Sequence, residues 1–460
     1  MDTEIENGSM EKSFEDFVET QAEAHVDGMP NWKTRELDNE LVDTRKQQKS
    51  VDVPFLVLTL LLLAIGVIMV LSASFAREYF TTGAPTRLFM RQLVFAISGT
   101  AIMLIISRIN MRTLSRLSFP MLIGTIGLLI LVLVVGVKVN GARRWLGIRG
   151  STNILTFQPS EIAKLTLILI FSQMICSFGK RGMKTFKLGV VPFLLVTVVL
   201  VALVAVEPHL SAAIIITTLA VIMMFVGGTR LRWFALAGVA VAAIAGVLLF
   251  TVIKPQSNIG NEQAVETNEP LSVGDIVSQT QWDSIGLGYA GRRISAWIDP
   301  EANPLGDGFQ ICQSLYAIGS GGMLGQGLGQ SRQKYLYLPE EHNDYIFSIV
   351  CEELGFIGAT LILMLFALLI IRGYWLAVHA KDKFSSLVVT GITSLLAIQV
   401  FLNVAVVTNL LPATGISLPF FSSGGTALWI QLVQVGIVLS VSRDIRSTDK
   451  KEEAEEVATQ

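Results

Sequence analysis

The chain has 460 residues, 52% hydrophobic and 16% charged, with a mean hydropathy of +0.58 and a formal net charge of -2. So apolar a composition excludes a water-soluble globular domain and marks a multi-span membrane protein, while the near-balanced charge gives no reason to expect a nucleic-acid partner. Three cysteines, Cys176, Cys312 and Cys351, are odd in number and lack metal-ligand spacing, so they are read as passive.

Residues 1–50 are polar and acidic and lack the regions of a signal peptide, so the first span is expected to be an uncleaved anchor. Residues 1–50 and 446–460 read as disordered cytoplasmic tails on either side of a membrane domain over 51–445. Ten stretches are apolar enough to cross a bilayer: 53–74, 89–107, 117–138, 161–178, 189–206, 210–227, 233–253, 346–371, 385–408 and 426–442. Each can span about 30 Å of hydrocarbon at about 1.5 Å per residue. The runs do not alternate as barrel strands do, so the expected fold is an all-α integral membrane protein of about ten transmembrane helices. The fifth and sixth stretches are separated only by Glu207, Pro208 and His209, where the proline favours a break.

Orientation follows from Lys and Arg in the short loops, where one set holds nineteen and the opposite set five. Both termini are therefore expected in the cytoplasm. The segment 140–160, the Glu-Pro-His break and a large loop over 254–345, between spans 7 and 8, then face outward. Nothing resembles a phosphate loop or a dinucleotide fingerprint, so outward chemistry must use a substrate that arrives activated, with no nucleotide.

The fourth span opens with FQPSEIAKL, which puts Glu161 and Lys164 on one helix face. Ionisable groups inside a span face each other or a polar cavity. The two form a mutual ion pair, or Lys164 meets an anionic headgroup such as a diphosphate. Arg143, Arg144 and Trp145 lie in an outward loop against the general charge bias and suit phosphate oxygens and a sugar face, or an interfacial anchor. Next come Asp299, Glu301 and Asp307, held on turns by Pro300, Pro304, Gly306 and Gly308. Clustered carboxylates suit a general base or a divalent cation, and equally a solvated turn.

Gln310, Gln313 and Ser314 open an apolar, re-entrant or interfacial segment that ends in the glycine-rich SGGMLGQGLGQS. Lys334, Glu340 and His342 follow at the mouth of the eighth span; His342 lacks a second ligand-spaced histidine, so no metal set is assigned. Glu352 and Glu353 within that span are costly unless paired. NLLPATGISLPFFSSGGTA after the ninth span is too rich in proline and glycine to be continuous helix, and at membrane depth such backbone must be buried or line a cavity.

FQPSEIAKL, QSLYAIGSGG, GLGQSRQKYLYLPE, HNDYIF, EELGFIG and LPFFSSGGTA resemble, in order, the signatures of the shape, elongation, division and sporulation (SEDS) family. SRQKYLYLPE is more similar to its FtsW/SpoVE-like branch, and the resemblance covers about residues 50–445. It implies a peptidoglycan glycosyltransferase in the bacterial cytoplasmic membrane that polymerises lipid II during division. The acceptor 4-hydroxyl would attack the nascent glycan on its undecaprenyl diphosphate. It also implies a class B penicillin-binding protein and other division proteins as partners, and a divalent cation, Mg or Mn, as cofactor. Two departures stand out. The family's loop aspartate falls on Asn303, an amide that cannot act as a base, and the family's Pro-Asp-Leu-Gly-Thr is here Pro208 to Ala212 with His209 in the acidic place. Asp307, then Asp299, is the expected substitute. The alternatives are a lipid II flippase or a catalytically silent scaffold that activates a penicillin-binding protein.

Overall fold

In hydrocarbon, backbone amides must bond within their own segment, which leaves the helix as the element these apolar stretches can form. The structure, a computed structural model, describes residues 51–139, 142–147, 157–207, 209–236, 238, 288–304, 306 and 308–458. The predicted seventh span beyond residue 238, the loop over 254–287, Arg149 and Asp307 lie outside the described residues. Residues 51–445 form one compact unit.

In chain order the helices are α1 (Val53–Thr82), α2 (Arg87–Ile106) and α3 (Met111–Val135), then a hairpin of β1 (Val137–Val139) and β2 (Ala142–Trp145). There follow α4 (Pro159–Met183), the short α5 (Phe186–Gly189), α6 (Val191–Val206) and α7 (Leu210–Val226). The remainder comprises α8 (Gly288–Ile298), α9 (Phe309–Gly321), α10 (Ile346–Val378), α11 (Lys383–Val407) and α12 (Gly425–Ala458). Eight spans among the described residues are long and apolar enough to cross a membrane, with α5 and α6 counted as one; α7 is a shorter apolar helix. The predicted third span ends early: α3 stops at Val135, and Lys138, Arg143 and Arg144 go into the hairpin, where polar backbone pairs across strands. The last helix runs to Ala458, into the segment expected as a tail.

Helix ends fall where the sequence supplies caps. Asp52 accepts a bond from the Phe55 amide at 2.9 Å to start α1, and Gly83 ends it with φ 69°. The same Asp52 carboxylate takes two bonds from Arg372 of α10, at 3.1 and 2.6 Å, and its amide donates to Ser442 Oγ of α12 at 3.1 Å. The start of α1, the end of α10 and the apolar end of α12 therefore share one face of the unit, called proximal here; the other face is distal. Burial sorts the helices: 61% of the most apolar window of α4 and of α11 is buried, against 22% for α3, so α4 and α11 are central and α3 peripheral.

Between α11 and α12 the backbone is irregular, with Asn409, Gly415 and Phe420 in the left-handed region, yet Leu418, Phe420 and Phe421 are buried. Side chains supply what helix geometry does not. Asn403 donates to the Ile416 and Asp344 carbonyls at 2.6 and 2.7 Å, Gln92 donates to Ser422 O at 3.2 Å, and Gln431 accepts from the Phe420 amide at 3.1 Å. This arrangement meets the demand of a low-dielectric surrounding. Gly66 of α1 lies against the same segment, where an added Cβ would be 2.4 Å from Phe420 O. Gly66→Ala is expected to cost about 1–3 kcal/mol through overpacking. Gly127→Ala, whose Cβ meets nothing within 4 Å, should be neutral or slightly stabilising. Unfolding midpoints of the two purified variants check this.

Candidate functional site

Pro159 fills the first turn of α4 and Glu161 its N-terminal acidic place, so the helix geometry sets Lys164 one turn below Glu161. Lys164 Nζ meets Glu161 Oε1 at 2.7 Å, with both residues buried. The mutual pair is thus the arrangement observed. Ser160 Oγ and Gln158 Nε2 lie 3.3 and 3.4 Å from His209 Nδ1, so the start of α4 is joined to the break between α6 and α7.

At that break Glu207 is fully buried, and neither carboxylate oxygen has a hydrogen-bond partner among the described residues. Burial pushes its carboxyl up to about 8, against the pull of Arg144, so at neutral pH it is an uncharged acid. His209 is pushed down to about 3 by burial, with Arg144 and Lys164 adding in the same sense, and stays neutral. The hairpin brings in Arg144, whose Nε donates to the Glu207 carbonyl at 3.3 Å. Its neighbours diverge: Arg143 is exposed and donates to Leu133 O at 3.2 Å, and Trp145 is half-buried.

The turn before α9 is tight. Asn303 O accepts from the Gly306 and Gly308 amides at 3.1 and 3.2 Å, and a Cβ at Gly308 would sit 2.1 Å from Pro300 O. Asn303 itself is exposed. Asp299 Oδ1 accepts from the Ala302 amide at 3.1 Å, which makes it a turn cap. Gln310 donates to Pro339 O at 3.3 Å, Gln313 is half-buried, and Ser314 is buried with its hydroxyl 2.7 Å from both Ser348 Oγ and Val407 O. Ser314 therefore joins α9, α10 and α11.

The glycine-rich stretch after α9 returns against α10 at the Gly355 kink, φ 67°, where a Cβ would be 2.2 Å from the Gly325 amide. Glu353 of α10 accepts from Lys334 Nζ at 2.9 Å and from Ser72 Oγ of α1 at 2.6 Å. Glu352 accepts from Ser331 Oγ and, at 2.8 Å, from the Arg332 amide. Lys334 is thus a buried structural partner. Glu340 accepts from Asn343 Nδ2 at 2.6 Å, and His342 lies 3.5 Å from Glu341, itself 3.3 Å from Arg77.

The sequence places Asp344 among the acids at the mouth of the eighth span, inside the quoted HNDYIF and just before α10, without marking it out as a site residue. It is half-buried, with Oδ2 where a Cβ on Gly415 would come within 3.0 Å. Burial, then Glu340, pushes its carboxyl up to about 6, while Arg293 of α8, His342 and Arg144 oppose the rise. Arg144 is the common element, since it also bears on Glu207 and His209. Of the expected residues, the structure gathers Arg144, Glu161, Lys164, Glu340 and His342 around the distal face, and places Ser314 and Lys334 in packing roles. No three His, Cys, Asp or Glu side chains among the described residues converge to hold a metal ion.

These features define a multi-span helical membrane protein with an ionisable cluster on one face, backed by a broken helical segment. The FtsW/RodA/SpoVE profile, described as cell cycle protein, matches residues 53–447, and the chain belongs to that family. It is 37% identical over 400 residues to stage V sporulation protein E of Bacillus subtilis, covering 86% of this chain and 98% of that one. It is 36% identical over 407 residues to a probable peptidoglycan glycosyltransferase FtsW of Geobacter sulfurreducens, covering 87% and 97%. Among solved structures it is similar to a chain described under structural coordination of polymerization and crosslinking by a peptidoglycan synthase complex, with TM-score 0.66, 26% identity and coverage of 86% and 98%. It is also similar to the rod shape determining protein RodA of Thermus thermophilus, with TM-score 0.56, 26% identity and coverage of 86% and 97%.

Two tests follow from the geometry. Glu353→Ala leaves Lys334 buried without its partner and is expected to cost about 3–5 kcal/mol, part of which Lys334→Met in the same chain restores; denaturation of both variants measures it. For Glu207, a folded-state value near 8 against an ordinary 4.5 means stability is fully present below 4.5 and lost as pH rises through 8. Melting temperature should therefore decline from about pH 5 to 8 and then level off, and Glu207→Gln should flatten that slope.

Proposed function

We propose that this chain is a peptidoglycan glycosyltransferase that polymerises lipid II into glycan strands during cell division. The observation that carries the reading is the 36% identity over 407 residues to a relative named as a probable enzyme of that activity, across 97% of its length. Nineteen Lys and Arg on one set of short loops against five on the other support a reading with both termini in the cytoplasm and the distal face outside. A substrate that carries its own diphosphate leaving group fits a site without nucleotide machinery. The acceptor 4-hydroxyl attacks the anomeric carbon of the lipid-linked chain, and undecaprenyl diphosphate leaves.

Arg144 supplies positive charge on that side, and in this reading favours the diphosphate as its charge grows. The partner is a class B penicillin-binding protein, which cross-links the strands; the likeness to a chain of a peptidoglycan synthase complex supports this. One observation favours a second reading, a silent scaffold for that partner: Asn303 offers an amide where the family resemblance expects an acid.

The two readings part in one assay. Purified full-length protein with its cross-linking partner and labelled lipid II should yield a ladder of glycan strands on a gel. No polymer, under conditions in which a related polymerase works, overturns the enzyme reading and leaves the scaffold.

A further inference from the structure

If the chain polymerises glycan, some group must accept the proton of the attacking hydroxyl, and Asn303 cannot. Asp299 is committed to capping its turn. A base needs a carboxylate at the working face, fixed in position, with cations beside it for the departing diphosphate. Asp344 meets each condition. Asn403 of α11 holds its carbonyl at 2.7 Å, and the preceding Asn343 is bonded through its carbonyl to Ser422 Oγ at 2.8 Å and through its side chain to Ser423 Oγ at 2.5 Å. The backbone is thus clamped from the broken segment and from α11. Room for the carboxylate comes from Gly415, since any side chain there would crowd Oδ2.

The charged groups facing Asp344 come from three elements: Glu340 and His342 from its own loop, Arg293 from α8 and Arg144 from β2. Both guanidiniums are anchored on backbone carbonyls, Arg293 on Ala413 and Arg144 on Glu207. The carboxylate at the start of α10 is therefore under the electrostatic pull of two guanidiniums, each held on a backbone carbonyl.

We propose that Asp344 is the general base of the transfer, in place of the acid that position 303 lacks; this rests on the glycosyltransferase reading above. In the step, the acceptor O–H bond breaks and its proton passes to an Asp344 oxygen as the hydroxyl oxygen bonds to the anomeric carbon. The bond from that carbon to the diphosphate oxygen breaks, and its electron pair leaves with the diphosphate. Asp344 then releases the proton to water. With its carboxyl raised to about 6, the residue is ionised at neutral pH and still a competent acceptor.

The test uses the full chain with its cross-linking partner and labelled lipid II. Asp344→Asn should lower the polymerisation rate at least about 100-fold, as loss of a general base does, with lipid II binding and melting temperature near wild type. Asn303→Asp added to that variant should recover polymer, because it returns an acid to the family's place. The wild-type rate should fall as pH drops through about 6. If wild type makes no polymer, the functional reading fails and this assignment with it. If wild type is active and Asp344→Asn keeps more than roughly a tenth of the rate, while Asp307→Asn does not, the base lies in the 299–307 turn and the assignment alone is overturned. Should the asparagine variant fail to fold, the pH profile decides: a rate unchanged from pH 7 to 5 overturns it.

Discussion

Glu352 and Glu353 stand side by side within a largely apolar helix, and the distal half of the molecule depends on what they bind. Glu353 takes Lys334 and Ser72; Glu352 takes Ser331 and the backbone that follows it. A carboxylate alone at this depth would be prohibitively costly, and so would the non-helical backbone over 322–345. Put together, each removes the other's penalty. Asn403 does the same for the second irregular stretch, with one amide serving two carbonyls. The two clamps fix the ends of the segment that carries Glu340, His342 and Asp344, so the site is held by buried polar networks rather than by apolar packing alone.

The chemistry of the distal face is a matter of environment more than of residue type. Glu207, Asp344 and Glu161 are all carboxyl groups, yet one is an orphaned buried acid, one a half-buried group raised toward neutrality and one a partner in an ion pair. Arg144 reaches two of these environments because the hairpin after α3 carries it back over the break between α6 and α7. A hairpin suits this task, since its cross-strand bonds hold an otherwise short segment rigid.

The helices were legible because membrane depth imposes a length and an apolarity that survive in the sequence; α1, α4, α7, α10 and α11 begin within two residues of expectation. The break between α6 and α7 and the irregular stretch after α11 were legible for the same reason in reverse. Other features were hidden. Lys334 and Ser314 look like loop and surface groups in one dimension, but their partners Ser72 and Val407 lie 262 and 93 residues away. No local pattern reports such pairs. The hairpin escaped because its strands are three and four residues long, too short for alternation to register. Asp344 was visible as a letter in a motif, but its significance comes from Gly415, Arg293 and Arg144, which only folding brings to it.

The bond between the Asp52 amide and Ser442 Oγ joins positions 390 residues apart. It sets the first turn of α1 beside the last apolar turns of α12, pinned by Arg372 to the proximal end of the helix that begins at Ile346. A displacement of either helix along its axis therefore has to carry the other with it, so the two ends of the membrane unit respond to a load as one.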